Sequence, residues 1–193
     1  MRTVLTLTLF LSFTSISVVK KRVLPYGIII SNADLIVEGQ IIEVSSSQNQ
    51  YQFEITDFIK GQSSQKISVD IWEEWTCDHR IESPKIGQKL LLFLTKNTTN
   101  QYQIINDSTG ELFIRDNDSL ETFSYYKIFP KLDELKKGIK LFDESFKFHG
   151  ELYGYGKDRY FEQLVSDAKI KKNMEENTFF KSTFEHIKHM IIK

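Results

Sequence analysis

The stretch LIVEGQIIEVSSSQNQYQFEITDFIKG, residues 35–61, decides the fold. Leu35 to Val44 is rich in Ile and Val, six hydrophilic residues from Ser45 to Gln50 supply a reversal, and Tyr51 to Ile59 follows, which is a β-hairpin in outline. In the second arm Tyr51, Phe53, Ile55 and Asp57 share one parity while Gln52, Glu54, Thr56 and Phe58 share the other, so one face is largely apolar. Gly61-Gln62-Ser63-Ser64 ends it. Downstream, Lys66 to Trp72 alternates again, with Ile67, Val69 and Ile71 on one side. Gln88 to Thr95 is nearly continuous Leu and Phe, the pattern of a strand covered on both faces. Tyr102 to Ile105 and Leu112 to Ile114, divided by Ser108-Thr109-Gly110, bring the expected count to about five or six strands.

After Pro130 the apolar period changes from two to 3.6. Leu132, Leu135, Ile139, Phe142 and Phe146 make one helical stripe, interrupted mildly by Gly138. Tyr160, Phe161, Leu164, Val165 and Ala168 are expected to make a second, and Phe180, Phe184, Ile187 and Ile191 a third. The pattern predicts an α+β fold: an antiparallel Greek-key β-barrel over residues 26–115, then a C-terminal extension of about three helices over 130–193, packed on or beside it.

With 193 residues, 40% hydrophobic and 26% charged, at a formal net charge of -1, the chain belongs with ordinary foldable sequences and is long enough for a sizeable core. A single cysteine, Cys77, excludes an intrachain disulfide and an all-thiolate zinc site. From Val23 to Arg115 seven Lys and Arg face twelve Asp and Glu, and from Asp116 onward the signs balance at fourteen each. Nucleic acid is therefore not an expected partner, because phosphate backbones are held by clustered cations. Val4 to Val19 is an apolar, hydroxyl-rich run behind Arg2, with Ser15 and Ser17 at the spacing signal peptidases accept, so residues 1–17 are read as an export signal. The run is followed at once by Lys20, Lys21 and Arg22, whose charge prefers the cytoplasmic side, so an uncleaved N-terminal membrane anchor is the alternative, although the run is short for a span; Thr6-Leu7-Thr8-Leu9 alternating as a strand of the fold is the other.

The first half also has a recognisable succession. Ser31-Asn32-Ala33-Asp34 opens the strand to Val44, Tyr51 to Ile59 ends in Lys60-Gly61, a cysteine follows, and Ile86-Gly87-Gln88-Lys89 leads into Leu90-Leu91-Leu92-Phe93-Leu94. This order resembles the netrin-like module shared with the tissue inhibitors of metalloproteinases, an OB-type barrel of secreted proteins, over about residues 26–115. Beside the resemblance, the residues themselves are read as a helix or turn through Gly27 to Ala33 that ends at Asp34 and feeds the first strand, and barrels of this type present a concave face for ligands. The chain departs from those inhibitors where they act: a cut after Ser17 leaves Val18 where the inhibitors begin with a zinc-chelating cysteine, and Cys77 has no partner for the disulfides that pin that end.

The densest polar and aromatic segment is Trp72-Glu73-Glu74-Trp75-Thr76-Cys77-Asp78-His79-Arg80, between two expected strands. Trp72, Glu73, Glu74, Trp75, Cys77 and His79 are the candidate interaction loop, since indoles beside carboxylates stack on sugars or clamp peptides. The alternative is that the indoles cap the barrel core. Cys77, Asp78 and His79 with Glu73 or Glu74 are too close in sequence to form a metal pocket alone, and Cys77 with His79 lacks a third group to orient a nucleophile. His186 and His189 fall at i, i+3 but without a His-Glu-x-x-His motif, and Gly150, Gly154 and Gly156 lack the Gly-Lys-Ser/Thr of a phosphate loop. Asn97-Thr98-Thr99, Asn106-Asp107-Ser108 and Asn117-Asp118-Ser119 match glycosylation acceptors and are expected at surface turns. No catalytic, cofactor-binding or metal residues are assigned. The expected function is that of an exported, non-enzymatic binding or interaction protein, with a protein or glycan partner and no cofactor; the alternative is a protease regulator that blocks a cleft without N-terminal zinc chelation.

Overall fold

The computed structural model describes residues 21–98, 101–123, 129–154 and 158–192, so the expected export signal lies outside the described residues. Helix α1 (Tyr26–Asn32) follows Pro25 and buries Tyr26 through Ile30. Three successive isoleucines are poor helix formers in a segment of seven residues, so burial rather than propensity holds this helix. At its C-terminal end Lys60 Nζ donates to the carbonyls of Ile30 (2.8 Å) and Ser31 (3.3 Å), groups that a helix end leaves without internal partners. Gly61 follows at φ +73°, where a Cβ would stand 2.2 Å from the Asp34 carbonyl oxygen. Only glycine fits there.

Strands β1 (Leu35–Ser45) and β2 (Gln50–Lys60) form the expected hairpin, and β3 (Lys66–Asp70) pairs with β2. β4 (Lys89–Lys96) pairs antiparallel with β1 from Leu35↔Leu94 to Gln40↔Lys89, and also with β5 (Tyr102–Ile104). β5 lies against β3, so the order β1-β2-β3-β5-β4 returns to β1 and the five strands close into a barrel. β6 (Glu111–Ile114) extends the sheet from β4, and β7 (Leu120–Glu121) from β6. One expectation is corrected: the β3–β5 pair, Val69 opposite Tyr102, is parallel, so the barrel is mixed. A parallel pair needs a long connection. Residues 71–101, which contain the candidate loop and β4, supply it.

Strand parity divides the apolar residues between two cores. Val37, Phe53, Ile55, Leu90, Leu92, Leu94 and Phe113 fill the barrel, whereas Ile36, Leu91, Phe93 and Leu112 face outward into a second core with α1 and the C-terminal helices. The unbroken run from Leu90 to Leu94 thus serves both sides of one strand.

Helix α2 (Leu132–Ser145) carries the first expected stripe, and ends one residue before Phe146, which opens β8 (Phe146–His149). The second expected stripe is corrected. Tyr160–Gln163 is a strand, β9, paired with β8, and helix α3 (Asp167–Glu176) begins only after Ser166 caps it by accepting from the Lys169 amide. Phe161 is buried between half-buried Tyr160 and exposed Glu162, an alternation that the adjacent aromatics concealed. Helix α4 (Thr178–Ile187) carries the third stripe, and Ile191 lies beyond it in β10 (Ile191–Ile192), parallel to β9. With α1 the described residues hold four α-helices, and α1 packs against α2, α4 and β8 as well as β4. Charge also stitches the layers: Lys136 of α2 reaches Glu38 of β1 and Asp57 of β2, each at 2.8 Å, and Lys60 reaches Asp143 at 2.8 Å. No helix among the described residues is long and apolar enough to cross a membrane.

Candidate functional site

The candidate loop leaves β3 at Asp70, and Ile71, Trp72 and Ile81 pack against the barrel core. Its two ends point inward. Trp72 is half-buried against the barrel core, and its Nε1 donates to Glu111 Oε2 at 3.0 Å. Arg80 places its guanidinium 4.7 Å from the Trp72 ring centroid and binds Glu111 in a two-point fork, Nε to Oε2 at 2.9 Å and Nη2 to Oε1 at 3.1 Å. The side chains of Arg80 and Glu111 are 3% and 2% exposed, so both charges are out of water and depend on each other. Burial raises the Glu111 carboxyl above its ordinary range, against the pull of Arg80 and the Trp72 hydrogen bond. Tyr51, whose hydroxyl finds no hydrogen-bond partner among the described residues, is raised well above its ordinary value, first by burial and then by the Glu111 charge.

Between those anchors the loop makes a tight turn. The Trp75 amide donates to the Asp78 carbonyl at 3.0 Å and the Asp78 amide returns to Trp75 at 2.9 Å, leaving Thr76 and Cys77 at the tip. Asp78 turns inward and is buried; its Oδ2 accepts from Lys21 Nζ and from the Ser108 amide. Glu73, Glu74, Thr76 and His79 are exposed, while Trp75 and Cys77 are half-buried. Glu74 Oε1 accepts the Arg80 amide at 2.8 Å, its Oε2 lies 4.0 Å from His79 Nδ1, and His79 meets the half-exposed Phe123 ring edge-on at 5.4 Å between centroids.

The six candidate residues therefore divide. Trp72 packs against the barrel core, and Glu73, Glu74 and His79 form the outward rim with Trp75 and Cys77 beneath. No group of three or more His, Cys, Asp or Glu that would hold a metal ion occurs among the described residues. His186 sits on α4 with Nδ1 2.6 Å from the Ser182 carbonyl oxygen, and His189 lies past the helix in a 3-10 turn, so the two do not share a helix face. Gly154 and Leu152 present carbonyl oxygens to Arg159, at 2.9 and 3.1 Å, the opposite polarity to a phosphate cradle. Of the three acceptor-like asparagines, Asn117 is exposed and Asn97 half-buried, but Asn106 is buried and donates to the Arg22 carbonyl at 3.1 Å, which corrects its expected surface position.

Sequence reasoning missed Arg80, Glu111, Asp78 and Lys21, the charges on which the loop stands. Glu111 had a signal: it shares the inward parity of Phe113 in a strand of otherwise apolar residues. Lys21 had none, since it reads as part of a basic flank. Beside the loop's return to β4 lies a cleft of about 570 Å³ lined by Lys85, Gln88, Lys89, Arg115, Asp116 and Asp118 among others, a polar concavity of mixed sign. Compared with protein-family models and with curated protein sequences, the chain matches none.

Proposed function

We propose that the protein is an exported, non-enzymatic binding protein that presents the rim Glu73, Glu74, Thr76 and His79 from an OB-like, netrin-like barrel. The observation that carries this reading is the contrast within one loop: an exposed polar rim stands on a base fixed by a buried fork from Arg80 to Glu111. Recognition surfaces work best when flexible positions are few and the supporting side chains are locked. The neighbouring mixed-charge cleft suits polar ligands such as a peptide or glycan, which bring donors and acceptors of both signs. The strand order β1-β2-β3-β5-β4 supports the OB-like reading.

The test compares the wild-type chain with the double variant Glu73→Ala/His79→Ala on a glycan array and in pull-downs from cell-envelope extract. The expected outcome is a ligand retained by the wild type and weakened at least tenfold in the variant, at unchanged melting temperature. Silence in both assays, or retention that ignores the loop, overturns the reading. Inhibition of a metalloprotease panel by the wild type would move the assignment to a cleft-blocking regulator.

A further inference from the structure

The residues just before α1 do more than lead into it. Lys21 Nζ bonds Asp78 Oδ2 in the loop turn and Ser108 Oγ, at 2.8 Å, in the 3-10 turn Asp107–Thr109. Its side chain is 5% exposed and that of Asp78 1%. The Arg22 carbonyl accepts from Asn106 Nδ2, and its guanidinium reaches the Gly154 carbonyl at 3.0 Å. Leu24 is buried in the core shared by α1 and the C-terminal helices. Lys21 and Arg22 thus clamp the loop turn, the turn before β6 and the loop after β8, three segments remote in sequence, and Leu24 anchors them in the core.

From this we infer that Lys21–Leu24 is a latch on the candidate interaction loop: the Lys21–Asp78 pair holds the Trp75–Asp78 turn down, and loss of Lys21, for instance by a protease cutting among these basic residues, sets the turn free. The physical ground is the mismatch in supports. The loop's end at Arg80 is held by Glu111, within the barrel, but its middle depends on Asp78, whose Oδ1 has no partner among the described residues and whose Oδ2 depends on Lys21 for its counter-charge. A buried carboxylate without its cation is strongly disfavoured, and the cheapest relief for a surface turn is to swing the carboxylate into water. An N-terminal cut upstream of Lys21, such as one after Ser17, leaves the latch intact. A cut after Lys21 removes it.

The inference rests on the loop being the working surface, but its test does not. Hydrogen exchange is measured on the full chain as wild type, Lys21→Met and the double variant Lys21→Met/Asp78→Asn. In Lys21→Met the Trp75, Asp78 and Ser108 amides are expected to exchange at least tenfold faster, while β1 and β4 amides keep their wild-type rates. Should that variant fail to fold, the double variant decides, because it strands neither charge: it should fold with the barrel and the turn protected again. Wild-type protection of the turn in Lys21→Met, equal acceleration throughout the barrel in that variant, or a turn left loose in the double variant overturns the latch. A loosened turn with no ligand in the array or extract would instead fault the binding reading and leave the latch standing.

Discussion

Tyr51 puts a hydroxyl inside the barrel with no hydrogen-bond partner among the described residues, next to a buried charge pair. A buried hydroxyl without a partner costs about 1–3 kcal/mol. Tyr51→Phe is therefore expected to leave stability unchanged or raise it by about 1 kcal/mol, a reversal of the usual sign for core substitutions, measured by urea unfolding at neutral pH. The same variant has a pH signature. The folded phenol holds its proton more tightly than the unfolded one, so as pH climbs past about 10 the unfolded chain sheds that proton first and wild-type stability falls. Phe has no proton to shed, so the variant should lose less stability over that alkaline range; parallel curves would contradict the buried placement. Arg80→Met, by contrast, strands the Glu111 carboxylate and is expected to destabilise by about 3–5 kcal/mol, most of which Arg80→Met/Glu111→Gln should restore. A double variant no more stable than the single one would show that the fork is not the loop's support. These partners were only half legible in the sequence. The inward parity of Glu111 stands out beside Phe113, but no local pattern says that Arg80, thirty-one residues away, is its partner.

Among the elements, α2 shows how a contact can invert a propensity. Gly138 lies in the middle of that helix, where Ala would ordinarily stabilise by about 0.5–1 kcal/mol. Here an added Cβ would stand 2.4 Å from Asn177 Oδ1 and 2.9 Å from Phe179 Cδ1. Asn177 cannot step aside, because it is buried, its Oδ1 caps α4 by accepting the Phe180 amide at 2.7 Å, and its Nδ2 donates to the Glu134 carbonyl at 2.8 Å. Gly138→Ala is expected to destabilise by about 1–3 kcal/mol, measured as a lower urea midpoint; a higher midpoint would mean that α2 and the start of α4 are farther apart than described. The stripe of α2 was readable because Leu132, Leu135, Ile139 and Phe142 recur at helical spacing, although Phe146, which continues the period, already belongs to β8. The segment from Tyr160 was not, since two adjacent aromatics and a following Leu-Val pair satisfy a helical period over a window too short to exclude alternation. Ser166, an N-cap residue before an acidic position, was the signal that the helix starts later.

Across the whole molecule, the residues that carry the family resemblance turn out to be stitches. Asp34 Oδ2 accepts from Thr95 Oγ1 and the Lys96 amide, each at 2.9 Å, which ties the start of β1 to the end of β4. Lys60 closes the end of α1 and pairs with Asp143, and Gly61 makes the turn beside Asp34. A sequence succession of this kind therefore reports the scaffold, which is why the barrel was legible and the work of the loop was not. The parallel β3–β5 pair escaped because register between strands thirty residues apart leaves no trace in either strand's periodicity. The Lys136 ammonium, held to Glu38 and Asp57 against the desolvation of its site, binds its proton more firmly than an ordinary lysine. Lys136→Met should loosen α2 from the barrel, read as faster amide exchange in α2 than in β1.

Everything the loop can do depends on the five strands forming a ring. The direct measurement is the set of nuclear Overhauser contacts between β1 and β4 in solution. Closure predicts backbone proton contacts between Val37 and Leu92 and between Gly39 and Leu90, alongside those from β1 to β2. Contacts from β1 to β2 alone, with the β4-facing amides of β1 exchanging freely, would describe an open sheet and contradict the account.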